Sequence, residues 1–304
     1  MERVRYRGIV FDSARWEGFG LRAGDIVIST PPKCGTTWMQ MICALLVFRQ
    51  GELPGPLSAI SPWIDMVTRA RTDVFAHLGA QQHRRIIKTH TPLDGLPHDP
   101  SVTYIVVGRD PRDVAISMDN HLANLDLDEF ARSRAEAARI DGIEPPPLAP
   151  PPPRAATPIE RFWAFVEDDT DTTNSSPRLR FLARHLQSFW DAPAELDVVL
   201  VHYDELQEDL PARMRALAGH LGITVPEATW PELVQAASWA EMRARAERTV
   251  PGATPAQWHD PAKFFHKGTS GQWRELLDEG DLARYFERVH TLVSPDLAEW
   301  LHRP

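Results

Sequence analysis

Lysines, arginines and hydroxyls in three short stretches of this sequence have the types and spacing that hold oxyanions. In TPPKCGTTWMQ, Thr30 to Gln40, Lys33 stands two residues before Gly35. The amides and hydroxyls of Gly35, Thr36 and Thr37 then come where the apolar run MICALLVF continues a helical segment. Free amides and the helix dipole at such a start favour negative charge. The order departs from a Walker loop, GxxxxGK followed by Ser or Thr, because Lys33 precedes Gly35 and because Pro31 and Pro32 have no amide hydrogen to donate. The loop therefore suits one terminal phosphate and not a triphosphate. An ordinary turn capped by Thr36 or Thr37, with Lys33 solvated, explains the same residues equally well.

A second stretch, GRDPRDVAISMDNH, runs from Gly108 to His121 after the apolar run YIVV. Pro111 can start a helix, and Ser117 lies on it eight residues after Arg109. A guanidinium and a hydroxyl at the exit of a strand make an anion pocket, whereas Arg112 reads as half of a surface salt bridge with Asp110 or Asp113. The third stretch, FFHKGTSGQWRE from Phe264 to Glu275, offers Lys267, Gly268 and Gly271 in a polar loop that can close over a ligand.

Buried parallel strands must position these loops. Ile26–Ser29, Tyr104–Val107 and Val198–Val201 are short, rich in Val and Ile, and read as strands buried on both faces; Arg85–Lys88 is a weaker fourth. Helical patterns follow, among them Arg180–Trp190 and Asp209–Leu221. Alternating strands and helices imply a parallel sheet covered on both faces, with ligands bound outside the carboxyl ends of its strands. The expected architecture is one α/β domain over residues 1–304, interrupted by a proline-rich insertion at about 141–158. That insertion has eight prolines in eighteen residues, too many for a helix interior or a central strand, and reads as a semi-rigid spacer or lid.

Composition narrows the function. A net charge of -9 over 304 residues argues against general nucleic-acid binding, so any anion site is local. The only cysteines, Cys34 and Cys43, are nine residues apart, which gives neither a disulfide framework nor a CxxC metal or redox pair. No apolar run approaches membrane-spanning length, and the expected location is the cytoplasm.

The ordered set TPPKCGTTW, KTHTPLDGLP, GRDPRDVAIS, VHYDELQEDL and FFHKGTSGQW resembles the cytosolic-type sulfotransferase family, whose members use 3′-phosphoadenosine 5′-phosphosulfate (PAPS). The resemblance runs from about Asp25 to Trp273 and implies a P-loop-like sulfotransferase fold around a central parallel sheet. It assigns Lys33, Cys34, Gly35, Thr36, Thr37 and Trp38 to the 5′-phosphosulfate, Arg109 and Ser117 to the 3′-phosphate, and Tyr203 to the adenine. His266, Lys267 and Gly268 fall in the terminal clamp. His90, in the KTH motif, becomes the general base that takes the acceptor's proton, with Lys33, Lys88 and Ser117 assisting. No metal is implied, and the nucleotide product is 3′,5′-adenosine bisphosphate (PAP).

Three positions depart from the family pattern. Cys34 stands where serine is frequent, His266 where arginine is frequent, and Ala237 where a threonine meets the adenine, with Ser238 beside it as a substitute. The rival readings are an ATP-dependent P-loop kinase-like transferase and a non-catalytic nucleotide-binding homologue. For the acceptor, a partly apolar small molecule is favoured over a carbohydrate: Trp63, Ile64 and Met66 in SAISPWIDMVTR can make an apolar wall near His90, and packing in the core explains them equally well.

Overall fold

The structure, a computed structural model, describes residues 3–143, 155–250, 257–265 and 268–303. Four strands make the central sheet: β1 (Ile26–Ser29), β2 (Ile86–Thr89), β3 (Thr103–Gly108) and β4 (Asp197–His202), in the order β2-β1-β3-β4. Every pairing is parallel, and the register sets Ile28 beside Lys88 and Ser29 beside Thr89. The chain thus leaves each strand at the same edge of the sheet, which gathers the sequence-derived loops on one side.

Period-2 alternation divides the apolar residues between two cores. Val27, Ile87, Tyr104 and Val106 face one, with Val114 and Ala115 from α2 (Pro111–Ala123) and Leu182, Leu186 and Phe189 from α3 (Leu179–Trp190). Ile26, Ile28, Ile86, Ile105 and Val107 face the other, against Met39, Ile42 and Leu45 of α1 (Thr36–Phe48) and Met214 and Leu217 of α5 (Leu210–His220). A short helix, α4 (Tyr203–Glu208), follows β4 directly. Burying each such side chain contributes roughly 1.5–3 kcal/mol, so both faces of a four-stranded sheet are stabilised by the helices that cover them.

The two sheet edges differ. β2 is buried throughout because the preceding segment lies along it: Lys88 donates its amide to Pro62 at 2.9 Å, and Ile64 donates to the Lys88 carbonyl at 3.0 Å. The expectation that β4 is fully buried is not met, since Asp197 to Val201 are only half-buried. β4 has one strand neighbour, and its Val198 and Leu200 pack on one core while Val199 and Val201 pack on the other. A run of apolar residues on an edge strand looks the same in sequence as one in the sheet interior.

The proline-rich insertion is bounded by helices. Gly142 caps Leu127–Asp141 with φ 66°, and Thr157 with Glu160 forms a capping box for Pro158–Val166. Its interior, 144–154, lies outside the described residues, as do His266 and Lys267.

Candidate active site

The loop after β1 is built around a backbone turn that its residue types permit. Gly35 is the N-cap of α1 with φ 100°, and a Cβ there would lie 2.9 Å from the Tyr203 ring. Only glycine meets both conditions without strain. No side chain caps α1, so the threonine cap considered from the sequence is absent and the amides at the start of α1 keep their donors free of a side-chain oxygen. The hydroxyls of Thr30 and Thr36 instead hydrogen-bond each other. Trp38 reaches back from α1, donating Nε1–H to the Ala237 carbonyl at 2.8 Å and meeting Tyr203 edge-on at 5.3 Å.

Three cationic or basic side chains meet at the ends of β1 and β2. Lys88 is 3% exposed, with its Nζ 3.9 Å from the Trp63 ring centroid, and His90 packs edge-on to that same ring at 4.6 Å. Lys33 is half-buried, its Nζ 4.4 Å from the Phe264 centroid and 3.5 Å from His121 Nδ1. Burial pushes both lysines down to about 7; Arg109 adds to the effect on Lys33, while for Lys88 Asp65 opposes it and Lys33 adds to it. Burial, then Lys88, holds His90 well below the usual imidazole value. His121 is lowered in the same way, by burial and then by Lys33.

His90 has a defined tautomer. Its Nδ1–H donates to the Thr30 carbonyl at 2.6 Å, leaving the lone pair on Nε2. Behind it, Ser29 Oγ donates to the Thr91 carbonyl at 2.6 Å and accepts from buried His185 Nε2 at 2.9 Å.

Arg109, 5% exposed, joins all three anion loops. It donates to the Lys33 carbonyl at 3.3 Å and to the Thr269 carbonyl at 3.1 Å, and its guanidinium lies 4.3 Å from the Tyr203 centroid. Its Nε–H is buried without a partner among the described residues. The hydroxyl of Ser117, half-buried on α2, also has no hydrogen-bond partner among the described residues. Gly268, with φ 65°, sits where a Cβ would come within 2.4 Å of Trp239, and its carbonyl accepts from Gln207. Asp113 anchors the same loop by accepting from the amides of Gly271 at 2.7 Å and Gln272 at 2.9 Å.

Other expected residues have different surroundings. Cys34 is a buried free thiol pushed up to about 12 by burial, so it presents no thiolate. Ser238 Oγ accepts from the Glu241 amide at 3.3 Å as the cap of a short helix, an occupation that its place beside Ala237 did not reveal. Arg112 does pair with Asp110, as expected, but the pair is buried and not on the surface, and the guanidinium stacks 3.7 Å from the Trp273 centroid.

Sequence reasoning missed Asp65, the hub of this site. Fully buried, it accepts from Trp63 Nε1 at 2.6 Å, Trp16 Nε1 at 3.3 Å, Thr91 Oγ1 at 2.6 Å, and Thr89 Oγ1. Thr89 and Thr91 flank His90, so one carboxylate fixes the strand end that carries it. Burial raises the Asp65 carboxyl above its usual value, against these hydrogen bonds. Beside Lys88 is a recess lined by Gln40, Ser58, Ser61, Trp63, Met66 and Arg69. Its exposed lining is more apolar than polar, with Trp63 and Met66 in it as expected, while Ile64, expected in the same wall, is packed in the core.

Comparisons with known proteins bear on the family and the fold. A sulfotransferase-domain family model matches residues 23–302. The chain is 40% identical over 310 residues to a glycolipid sulfotransferase of Mycobacterium bovis, covering 99% of this chain and 94% of that protein. Mouse sulfotransferase SULT7A1 complexed with PAP shares the fold at a TM-score of 0.64 and 19% identity, over 95% of this chain and 91% of that one. Retinol dehydratase in complex with androsterone and PAP gives a TM-score of 0.64 at 17% identity, over 93% and 86% of the respective chains. The extent of the family match and the identity to a full-length relative place this protein in the sulfotransferase family.

Proposed function

We propose that this enzyme transfers the sulfuryl group of PAPS to a hydroxyl (or amine) of a small-molecule acceptor of the glycolipid class, with His90 as general base. The observation that carries the reading is the meeting of His90, Lys33 and Lys88 at the carboxyl ends of β1 and β2, beside an uncapped helix start. The residues present fit the nucleotide. Arg109 keeps a buried N–H without a partner among the described residues, and no side chain caps the start of α1, whose amides stay available to an anion. The amides of Gly35 to Thr37 with Lys33 and Trp38 would hold the phosphosulfate, Arg109 and Ser117 the 3′-phosphate, and Tyr203, which Trp38 meets edge-on, the adenine. Gly268 belongs to the clamp on the 3′-phosphate, whose other members, His266 and Lys267, lie outside the described residues.

When bound, PAPS supplies an electrophilic sulfur joined through oxygen to a phosphate leaving group. His90 works as a neutral imidazole: Thr30 holds Nδ1–H, and Nε2 accepts the proton of the attacking hydroxyl. Lys33 and Lys88, desolvated and both near 7, gain charge when an anion binds beside them and then stabilise the negative charge that develops on the oxygens. Cationic side chains thus fill the role that a metal ion plays in many phosphoryl transferases. The glycolipid class comes from the mycobacterial relative and from the recess beside Lys88, where the apolar Trp63 and Met66 stand with the polar Gln40, Ser58 and Ser61. No described helix is long and apolar enough to cross a membrane, and two buried free thiols fit a reducing compartment; we take the cytoplasm as the place of action.

Isothermal titration with PAP, and separately with ATP and Mg²⁺, tests the nucleotide assignment. Tight PAP binding without added metal is expected. Binding of ATP with Mg²⁺ but not of PAP would return the protein to the kinase-like reading.

A further inference from the structure

We propose that Arg69 makes the recess beside Lys88 an oxyanion-reading subsite, so that the acceptor carries a carboxylate, phosphate or sulfate ester next to the hydroxyl to be sulfated. This rests on the sulfuryl-transfer reading of the same cleft. Lys88 and Arg69 both line the recess, and only Lys88 has a part in that chemistry. Arg69 is half-buried, and among the described residues its guanidinium has one long hydrogen bond, from Nη1 to the Ser58 carbonyl at 3.5 Å. No carboxylate among the described residues lies within ion-pair distance of it.

The nearby acids are otherwise engaged. The Asp65 carboxylate receives the hydrogen bonds of Trp16, Trp63, Thr89 and Thr91. Asp141 pairs with Arg15 at 3.3 Å and accepts from the amides of Arg71 and Thr72. Asp73 supports the Arg69 charge only from beyond ion-pair range, and burial works against that charge. A half-buried guanidinium with no carboxylate at ion-pair distance among the described residues is costly, and its planar fork matches the two oxygens of a carboxylate or phosphate. General basicity does not explain it, since the protein carries a net charge of -9.

The subsite is also held in place. Arg15 Nη2 donates to the Arg69 carbonyl at 2.5 Å, and across the recess Gln40 Nε2 donates to the Ser61 carbonyl at 2.9 Å and to Ser61 Oγ at 3.0 Å. A neutral acceptor would leave the guanidinium uncompensated; an oxyanion would complete it and lie against Lys88.

The test compares p-nitrophenyl β-glucuronide with p-nitrophenyl β-glucoside, which differ in one carboxylate, as acceptors with PAPS. For the wild type, kcat/KM is expected to be at least tenfold higher for the glucuronide, and Arg69→Gln is expected to lower that ratio at least tenfold. Arg69→Lys, which keeps the charge but loses the fork, should fall between. If turnover is undetectable, calorimetric binding of glucuronate and of glucose to the PAP-loaded protein reads the same preference. Equal treatment of the two sugars by the wild type, or a ratio unchanged in Arg69→Gln, overturns the proposal. PAP binding is measured in parallel: its absence brings down the sulfuryl-transfer reading, while PAP binding without anion preference brings down only this one.

Discussion

The Nδ1–H of His90 donates to the main-chain carbonyl of Thr30 at 2.6 Å. That bond ties the loop after β2 to the loop after β1, so the same turn that presents the amides of Gly35 to Thr37 also sets the tautomer of His90. Position and tautomer of His90 are therefore consequences of how β1 ends.

Burial and the two lysines set the pH profile. The folded-state value of His90 is lowered, so it stays neutral until the pH falls well below 6.5, and the acid limb of kcat/KM is expected below that point. Lys33 and Lys88 lose their protons near 7 in the free enzyme, so kcat/KM is expected to decline as pH rises through about 7, far below the lysine norm of 10.5. An anion bound beside them favours the ammonium forms, which should move the alkaline limb of kcat to higher pH. Steady-state rates from pH 5 to 10 check both limbs.

Lys88→Met should trade activity for stability. Lys88 is fully charged in the unfolded chain at pH 8, whereas burial lowers it to about 7 in the fold. The unfolded state then binds more protons between about 7 and 10.5, which penalises folding most below that window, and stability rises with pH across it. Removing the buried amine is expected to raise Tm by a few degrees at pH 7 and to lower kcat by about 10²-fold or more, read by calorimetry and initial rates.

Gly35→Ala places a side chain at φ 100° against Tyr203. The strain is expected to cost about 1–3 kcal/mol, and displacement of the loop should weaken PAP binding by about tenfold or more. Thermal unfolding and calorimetry measure the two separately.

Arg109→Lys keeps the charge yet cannot reach the Lys33 and Thr269 carbonyls while presenting a further N–H to a ligand. PAP affinity is expected to fall about tenfold or more, with little change for adenosine 5′-phosphate, which lacks the 3′-phosphate.

Asp65→Asn replaces an acceptor of four hydrogen bonds with a group that must also donate. A loss of about 1–3 kcal/mol in stability is expected, with a fall in kcat as the Thr89–Thr91 strand end loosens. Urea unfolding and kcat at saturating substrate check it.

The sheet was legible because Val- and Ile-rich runs between helical patterns admit few other folds; even the weak Arg85–Lys88 signal marked β2, which is Ile86–Thr89. The loops after β1 and β3 were legible for a related reason: proline, glycine and lysine in a fixed order report backbone conformation locally. Asp65 was not, because its role depends on Trp16, Thr89 and Thr91, brought to it by tertiary folding, and a lone acidic residue in an apolar stretch carries no period. That Arg69 has no ion-pair partner among the described residues was hidden likewise, since only the fold shows which carboxylates are already occupied. Ser238 marks the opposite limit: a serine beside a ligand-facing position also reads as a helix cap, and its Oγ accepts from Glu241.

The most direct test of the account is transfer of ³⁵S from labelled PAPS to a glycolipid or p-nitrophenyl glycoside by the wild type and by His90→Ala, with PAP affinity of both measured by calorimetry. Label transfer by the wild type, a loss of about 10²–10⁴-fold in kcat for His90→Ala, and PAP affinities within threefold of each other are expected. A wild type that neither binds PAP nor transfers label, or a His90→Ala variant that transfers it at the wild-type rate, would contradict it.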